Sequence, residues 1–146
     1  MWTPQRREVV ALVAMLDLSV SRDEWTKTQA IAERHVMPLA FLEQIVSRLC
    51  QEGLLRSRRG PTGGLRLARA PADIRIADVL RAVVPRDTTA GTPTPRTLEA
   101  LAHRALGRAG AELERTLDGL TLERLADEAE QLGLGMRPKS ALSFDI

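Results

Sequence analysis

The stretch "SRRGPTGGLRLAR", Ser57 to Arg69, sets Arg58, Arg59, Arg66 and Arg69 on either side of a turn running from Gly60 to Gly64. Guanidinium groups clustered around a glycine-rich turn are chemistry for anions, either a nucleotide phosphate or the phosphates and groove edges of nucleic acid. A phosphate-cradling loop needs G-x-x-x-x-G-K-[ST] leading into a helix, whereas Gly60 and Gly64 are followed by Leu65 and an apolar-basic alternation without lysine. The nucleotide reading fails. A basic linker fails too, because Leu65 and Leu67 at alternate positions have a face to bury. What remains is a hairpin suited to a narrow, electronegative minor groove, with Arg59 the best minor-groove contact and Arg58 directed at phosphate.

Other reactive side chains are sparse. No Ser/His/Asp, paired-carboxylate or HExxH arrangement occurs, so the chain is not expected to be an enzyme. The single cysteine, Cys50, excludes an internal disulfide and any multi-thiolate metal site within one chain. A thiol without a resolving partner reads as structural or incidental. His35 sits at a helix end, where the helix dipole suffices to explain it, and His103 lies within a long helix.

The chain has 146 residues, 44% hydrophobic and 27% charged, enough for one folded domain with an added oligomerisation element. Its net charge of +2 hides an asymmetry: residues 1–84 hold 13 Lys/Arg against 9 Asp/Glu, and residues 85–146 hold 8 against 10. An anionic partner is expected at the first part. No apolar run is long enough to span a bilayer, and "MWTPQRREVV" lacks the features of a secretory signal, so a cytoplasmic protein without membrane contact is expected.

Positioning those arginines requires a scaffold, and the hydrophobic spacing supplies one. Val9, Leu12, Val13 and Leu16 predict an amphipathic helix over residues 5–19. Thr26 and Gln29 have capping-box spacing for a second helix over 27–35. "HVMP" ends that helix, and Pro38 opens a third with Leu39, Leu42, Ile45, Val46 and Leu49 on one stripe, stopped by Gly53. Leu54–Ser57 and Leu65–Ala68 read as two short strands. The predicted class is therefore mainly α with a small β-hairpin wing: a winged helix-turn-helix domain over 1–83, including a helix marked by Ile76, Val79, Leu80 and Val83.

Residues 84–95 read as a flexible loop, because "VPRDTTAGTPTP" has almost nothing to bury. Leu98, Leu101, Ala105, Leu106, Ala109, Leu113 and Leu117 then form one long seam without an intrachain partner of similar length, which predicts a dimerisation helix. Thr121 is the expected N-cap of a following helix, which closes the 96–132 segment, and 133–146 reads as a loose tail.

In a helix-turn-helix the second helix of the pair enters the major groove with its N-terminal side chains toward base edges. Ala40, Phe41, Glu43, Gln44 and Arg48 are the candidates. Gln44 can pair with adenine N6 and N7, Glu43 can accept from cytosine N4, and Arg48 reaches phosphate. Thr26, Thr28 and Pro38 beside the pair, and Thr62 in the wing turn, complete the candidate contact set.

The segments "FLEQIVSRL", "GLLRSRRGPTGG" and "IRIADVLRAV" within residues 31–83, with the later "LDGLTLERLAD", resemble the Rrf-type (IscR/NsrR-like) bacterial winged helix-turn-helix regulators along nearly the whole chain. The resemblance implies a homodimeric transcription factor, usually a repressor, on a palindromic double-stranded DNA operator. It also implies base reading by Glu43 and Gln44 and a wing contact by Arg59. Ala40 stands where a hydroxyl residue is frequent, so the target sequence is expected to differ.

Many such proteins hold an iron-sulfur cluster on three cysteines, whose places fall here near Thr88, Thr94 and Ala100. None of these supplies a thiolate, so a member lacking the cluster-ligating cysteines, without cofactor or metal, is expected. His103 matches a fourth-ligand position and Glu8 an acidic ligand from the partner chain. Together with Trp2 they mark a ligand or vestigial sensor site open to an unknown small-molecule effector. The alternative reading of the same residues is a protein-interaction module that regulates an enzyme or regulator without binding DNA itself.

Overall fold

The computed structural model describes residues 2–21, 23–85 and 98–134. Helix α1 (Arg6–Val20) lies at the centre and packs against the third, fourth and last helices and the second wing strand. Its buried face is Val10, Ala11, Ala14, Met15 and Leu18, not the expected stripe: Val9 is exposed, and Leu12, Val13 and Leu16 are only partly buried. The cause is the packing on several sides. Ala11 and Ala14, both fully buried, let neighbouring elements approach closely, while the larger residues fill the flanks.

Helices α2 (Thr28–Arg34) and α3 (Leu39–Gln51) form the helix-turn-helix. α3 buries Leu42, Ile45, Val46 and Leu49 as its spacing requires, whereas Leu39 at its start is exposed and Phe41 is drawn partly into the core. It ends in a Schellman arrangement: Leu54 N–H donates to Leu49 O at 2.9 Å, with Gly53 at φ +70°. Strands β1 (Leu55–Arg58) and β2 (Gly64–Leu67) pair antiparallel, with Leu55 opposite Leu67 and Arg56 opposite Arg66. A short 3-10 turn at Pro71–Asp73 leads into α3's neighbour α4 (Ile76–Val83), whose Val79, Ala82 and Val83 reach the shared core.

Helix α5 (Leu98–Asp118) has no buried residue along its 21 positions, and α6 (Leu122–Gln131) follows after Thr121, whose hydroxyl accepts from Arg124 N–H as an N-cap should. Although residues 96–132 were expected to form one segment, α6 folds back onto α1. Leu122 is fully buried in the same core as Leu18 and Leu49. Ile76 N–H donates to Leu120 O at 2.8 Å and Leu122 N–H to Ile74 O at 2.9 Å, a backbone latch between the start of α4 and the start of α6. Val84 and Pro85 begin the expected loop; its remainder from 86, and the tail from 135, lie outside the described residues. No described helix is long and apolar enough to cross a membrane.

One polar cluster is built into the core edge. The Asp17 side chain on α1 is fully buried, Arg34 Nη1 donates to its Oδ1 at 2.6 Å, and His35 Nε2 lies 2.6 Å from its Oδ2. His35 is thus explained by a carboxylate partner rather than by a helix dipole alone. Removing that buried carboxylate leaves the partly buried Arg34 and His35 without their acceptor, so Asp17→Ala is expected to cost about 2–3 kcal/mol in urea unfolding. A loss below about 1 kcal/mol, the size of a surface pair, would show that the cluster does not anchor α2.

The α2–α3 turn carries strain of its own. Met37 N–H donates to Ala32 O at 2.9 Å, so α2 ends in the same motif as α3, but its left-handed position is Val36 at φ +51°, 88% exposed. A β-branched residue there costs about 1–2 kcal/mol relative to glycine, partly offset by glycine's greater entropy when unfolded. Val36→Gly is expected to raise the melting temperature by a few degrees, corresponding to roughly 1 kcal/mol; a lowered melting temperature would contradict the strain.

Candidate nucleic-acid interface

The N-terminal half of α3 offers Ala40, Glu43 and Gln44 to solvent, with Ser47 and Arg48 following one turn later, all exposed. The helix holds this face outward because Leu42, Ile45, Val46 and Leu49 are committed to the core. Pro38 occupies the N-cap position and is exposed; Thr28 is the first residue of α2 and is half-buried. Phe41 departs from the expected set, since its ring packs partly against the core and is not a free contact.

Thr26 is a second departure. The cap position of α2 is Lys27 and no side chain caps it, because Thr26 is engaged elsewhere. Its N–H donates to Leu65 O at 3.0 Å and its carbonyl accepts from Leu65 N–H at 2.8 Å, which adds one residue of a third strand to the wing. Thr26 is 6% exposed and its hydroxyl has no hydrogen-bond partner, so it supports the interface from beneath. Gly64 at φ +150° permits this approach: a Cβ there would stand 2.6 Å from the Thr26 carbonyl oxygen.

The wing tip is braced from α2 and from within. Lys27 Nζ donates to Gly60 O at 2.6 Å, and Arg58 Nη2 donates to Thr62 O at 2.7 Å. Trp25, unremarked in the sequence, takes two cations at its ring: Arg58 at 4.7 Å and Arg66 at 5.3 Å from the centroid. Arg58 is therefore a brace before it is a phosphate contact. Arg59 stays exposed at the turn and makes no hydrogen bond or ion pair among the described residues. Only the unusual position of a tryptophan just before the helix-turn-helix could have flagged this.

Arg56 and Arg66 stand directly opposite each other in the hairpin register. Like charges at that spacing destabilise a sheet, and a bound anion relieves the repulsion. Arg56, Arg58 and Arg66 share the outer face, while Leu55 and Leu65 are buried on the other.

Within one chain the expected sensor residues Glu8 and His103 lie apart, as a pairing of His103 with the partner chain's acidic residue would require. Glu8 and Trp2 line one cavity with Leu113 and Leu117 of α5, whereas His103 is exposed and lies 3.8 Å from Glu99 on its own helix. Ten residues of helix between His103 and Leu113 correspond to about 15 Å. Glu8 also has a local role, since its Oε2 accepts from Gln5 N–H at 2.6 Å and closes the first turn of α1.

Residues 5–128 match the Rrf2 family, described as iron-dependent transcriptional regulators. The HTH-type transcriptional regulator IscR of Photobacterium profundum is 43% identical over 74 residues, 50% of this chain and 43% of that protein. The chain spans about half the length of the curated relatives it matches. T. potens IscR is similar in structure, with TM-score 0.73 and 26% identity over 90% of each chain. The global cysteine regulator CymR of B. subtilis gives TM-score 0.70 and 26% identity over 88% of this chain and 98% of that one. With the family match running from the start of α1 into α6, the chain belongs to the Rrf2 family of transcriptional regulators.

Proposed function

We propose that this chain is a sequence-specific DNA-binding transcriptional regulator, a repressor that acts as a homodimer on a palindromic operator without an iron-sulfur cluster. The observation that carries the reading is the exposed, core-braced face of α3 followed directly by a wing that keeps Arg56, Arg58, Arg59 and Arg66 crowded without a carboxylate partner among the described residues. Gln44 and Glu43 read base edges, Arg48 and the wing arginines hold phosphates, and Arg59 enters the minor groove. The family and the IscR relatives, named as transcriptional regulators, support the same reading. Repression rests on the family resemblance.

The dimer rests on α5. Leu98, Leu101 and Leu106 are 86%, 57% and 73% exposed, a row of apolar side chains that a second copy of the same helix would cover. A two-fold dimer presents two α3 helices and so demands two half-sites.

An iron-sulfur cluster does not fit the donor set. Thr88 and Thr94 lie outside the described residues, but neither they nor Ala100 carries sulfur. The one thiol, Cys50, sits half-buried at the end of α3, where burial pushes its pKa up and opposes the thiolate a cluster needs. Glu8 and His103 are then remnants as far as iron is concerned.

A raised thiol pKa has a measurable sign. At pH 8 native Cys50 is expected to react with iodoacetamide more slowly than the urea-unfolded chain, and its rate should keep climbing at pH values where the unfolded thiol has levelled off. Equal native and unfolded rates would remove the burial argument.

DNA recognition is tested by titrating the purified protein with its own upstream region and with random duplex across a salt series. Expected are a steep negative slope of log K against log salt and tighter binding to the upstream region. Arg59→Ala should weaken binding on all sequences, while Glu43→Ala should relax discrimination at one position per half-site by about 1–3 kcal/mol. Binding no tighter than to random duplex at any salt would favour the protein-interaction module instead.

A further inference from the structure

A cavity of about 370 Å³ opens where the start of α1, α4 and the C-terminal half of α5 meet. This is within the size range of about 300–1,000 Å³ usual for small-molecule sites. Its walls are apolar: Ala77, Leu80 and Val84 on one side, Leu113 and Leu117 on the other, with the half-exposed Trp2 at the mouth. Of the seam expected for self-association, Leu98, Leu101, Ala105, Leu106 and Ala109 take no part in it, whereas Leu113 and Leu117 are half-buried here and line the cavity.

The charged groups described in this cavity are mostly carboxylates. Among the described residues Glu8, Glu52 and Glu114 line it together with one cation, Arg81. Arg81 is already engaged by Asp78 at 3.3 Å and by Glu114 and Asp118 at 3.5 Å, so it offers little to an incoming anion. Glu8 is more than nine-tenths buried, and its Oε2 accepts from Gln5 N–H at 2.6 Å. A carboxylate so largely withdrawn from water beside apolar walls favours a ligand that brings its own charged donor.

We infer that this cavity is a binding site for a small organic cation, with an apolar body against Leu80, Leu113 and Leu117 and a protonated amine on the Glu8 carboxylate under the Trp2 ring. An aromatic face beside a carboxylate recognises an alkylammonium group by cation–π attraction and charge together. A neutral analogue of the same shape keeps only the apolar contacts. As an effector site it rests on the regulator reading: Arg81 and Arg75 both pair with Asp118, so a ligand wedged between α4 and α5 acts on the ion pairs that join them.

The test is calorimetric titration of the full chain, without DNA, using 2-phenylethylamine against 2-phenylethanol and 3-phenylpropionate. Saturable binding of the amine is expected, about tenfold or more tighter than the alcohol, with no binding of the carboxylate. Glu8→Gln, which keeps an acceptor for Gln5 N–H, should erase the preference for amine over alcohol. Ala77→Leu should fill the cavity and abolish both, with unchanged melting temperatures confirming that both variants fold. Equal affinity for amine and alcohol, no amine binding, or amine binding undiminished in both variants would overturn the site. Adding the amine to the protein–DNA titration separates the two claims: amine binding without DNA binding sinks the regulator reading alone, and DNA binding without amine binding sinks the site alone.

Discussion

A buried carboxylate holds the reading head in place. Asp17 on α1 receives Arg34 and His35 from the end of α2, so the helix that precedes the turn is tied to the central helix of the core by charge as well as packing. Everything downstream of that tie inherits its position. The turn through Val36 and Met37 fixes where α3 begins, α3 places Glu43 and Gln44, and Gly53 sends the chain into the wing. A charged cluster is a costly way to hold a helix, but unlike an apolar contact it has one geometry.

The wing depends on the same scaffold from the other end of α2. Thr26 pairs with Leu65, Lys27 reaches Gly60, and Trp25 gathers Arg58 and Arg66. Consecutive residues just before α2 therefore fasten the hairpin, while the far end of the helix is fastened to α1. α2, seven residues long, works as a strut between core and wing, fastened by the residues at its two ends.

Much of this was legible in the sequence, and the misses share a cause. The spacing of Leu42, Ile45, Val46 and Leu49, the glycine at 53 and the alternation after Gly64 are local signals, and each element appears within a residue or two of its expected bounds. What failed needed tertiary context. The stripe on α1 was misplaced because that helix is covered on several sides, and Thr26 looked like a cap because its strand partner lies 39 residues away. Leu122 returns to the core for the same reason: chain order does not say which helix folds back. Asp17, Arg34 and His35 carry no motif, only proximity.

The proposed recognition surface lies on α3 and the wing, and the proposed ligand site in the cleft between α4 and α5. α1 packs against both α3 and α4 and so joins the two regions. The central claim, that this scaffold presents paired reading heads to DNA, is tested most directly by a hydroxyl-radical footprint of the protein on its own upstream region. The account predicts two protected half-sites related by a dyad, with centres about one helical turn, or a multiple of it, apart. A single asymmetric patch, or protection that does not depend on sequence, would contradict it.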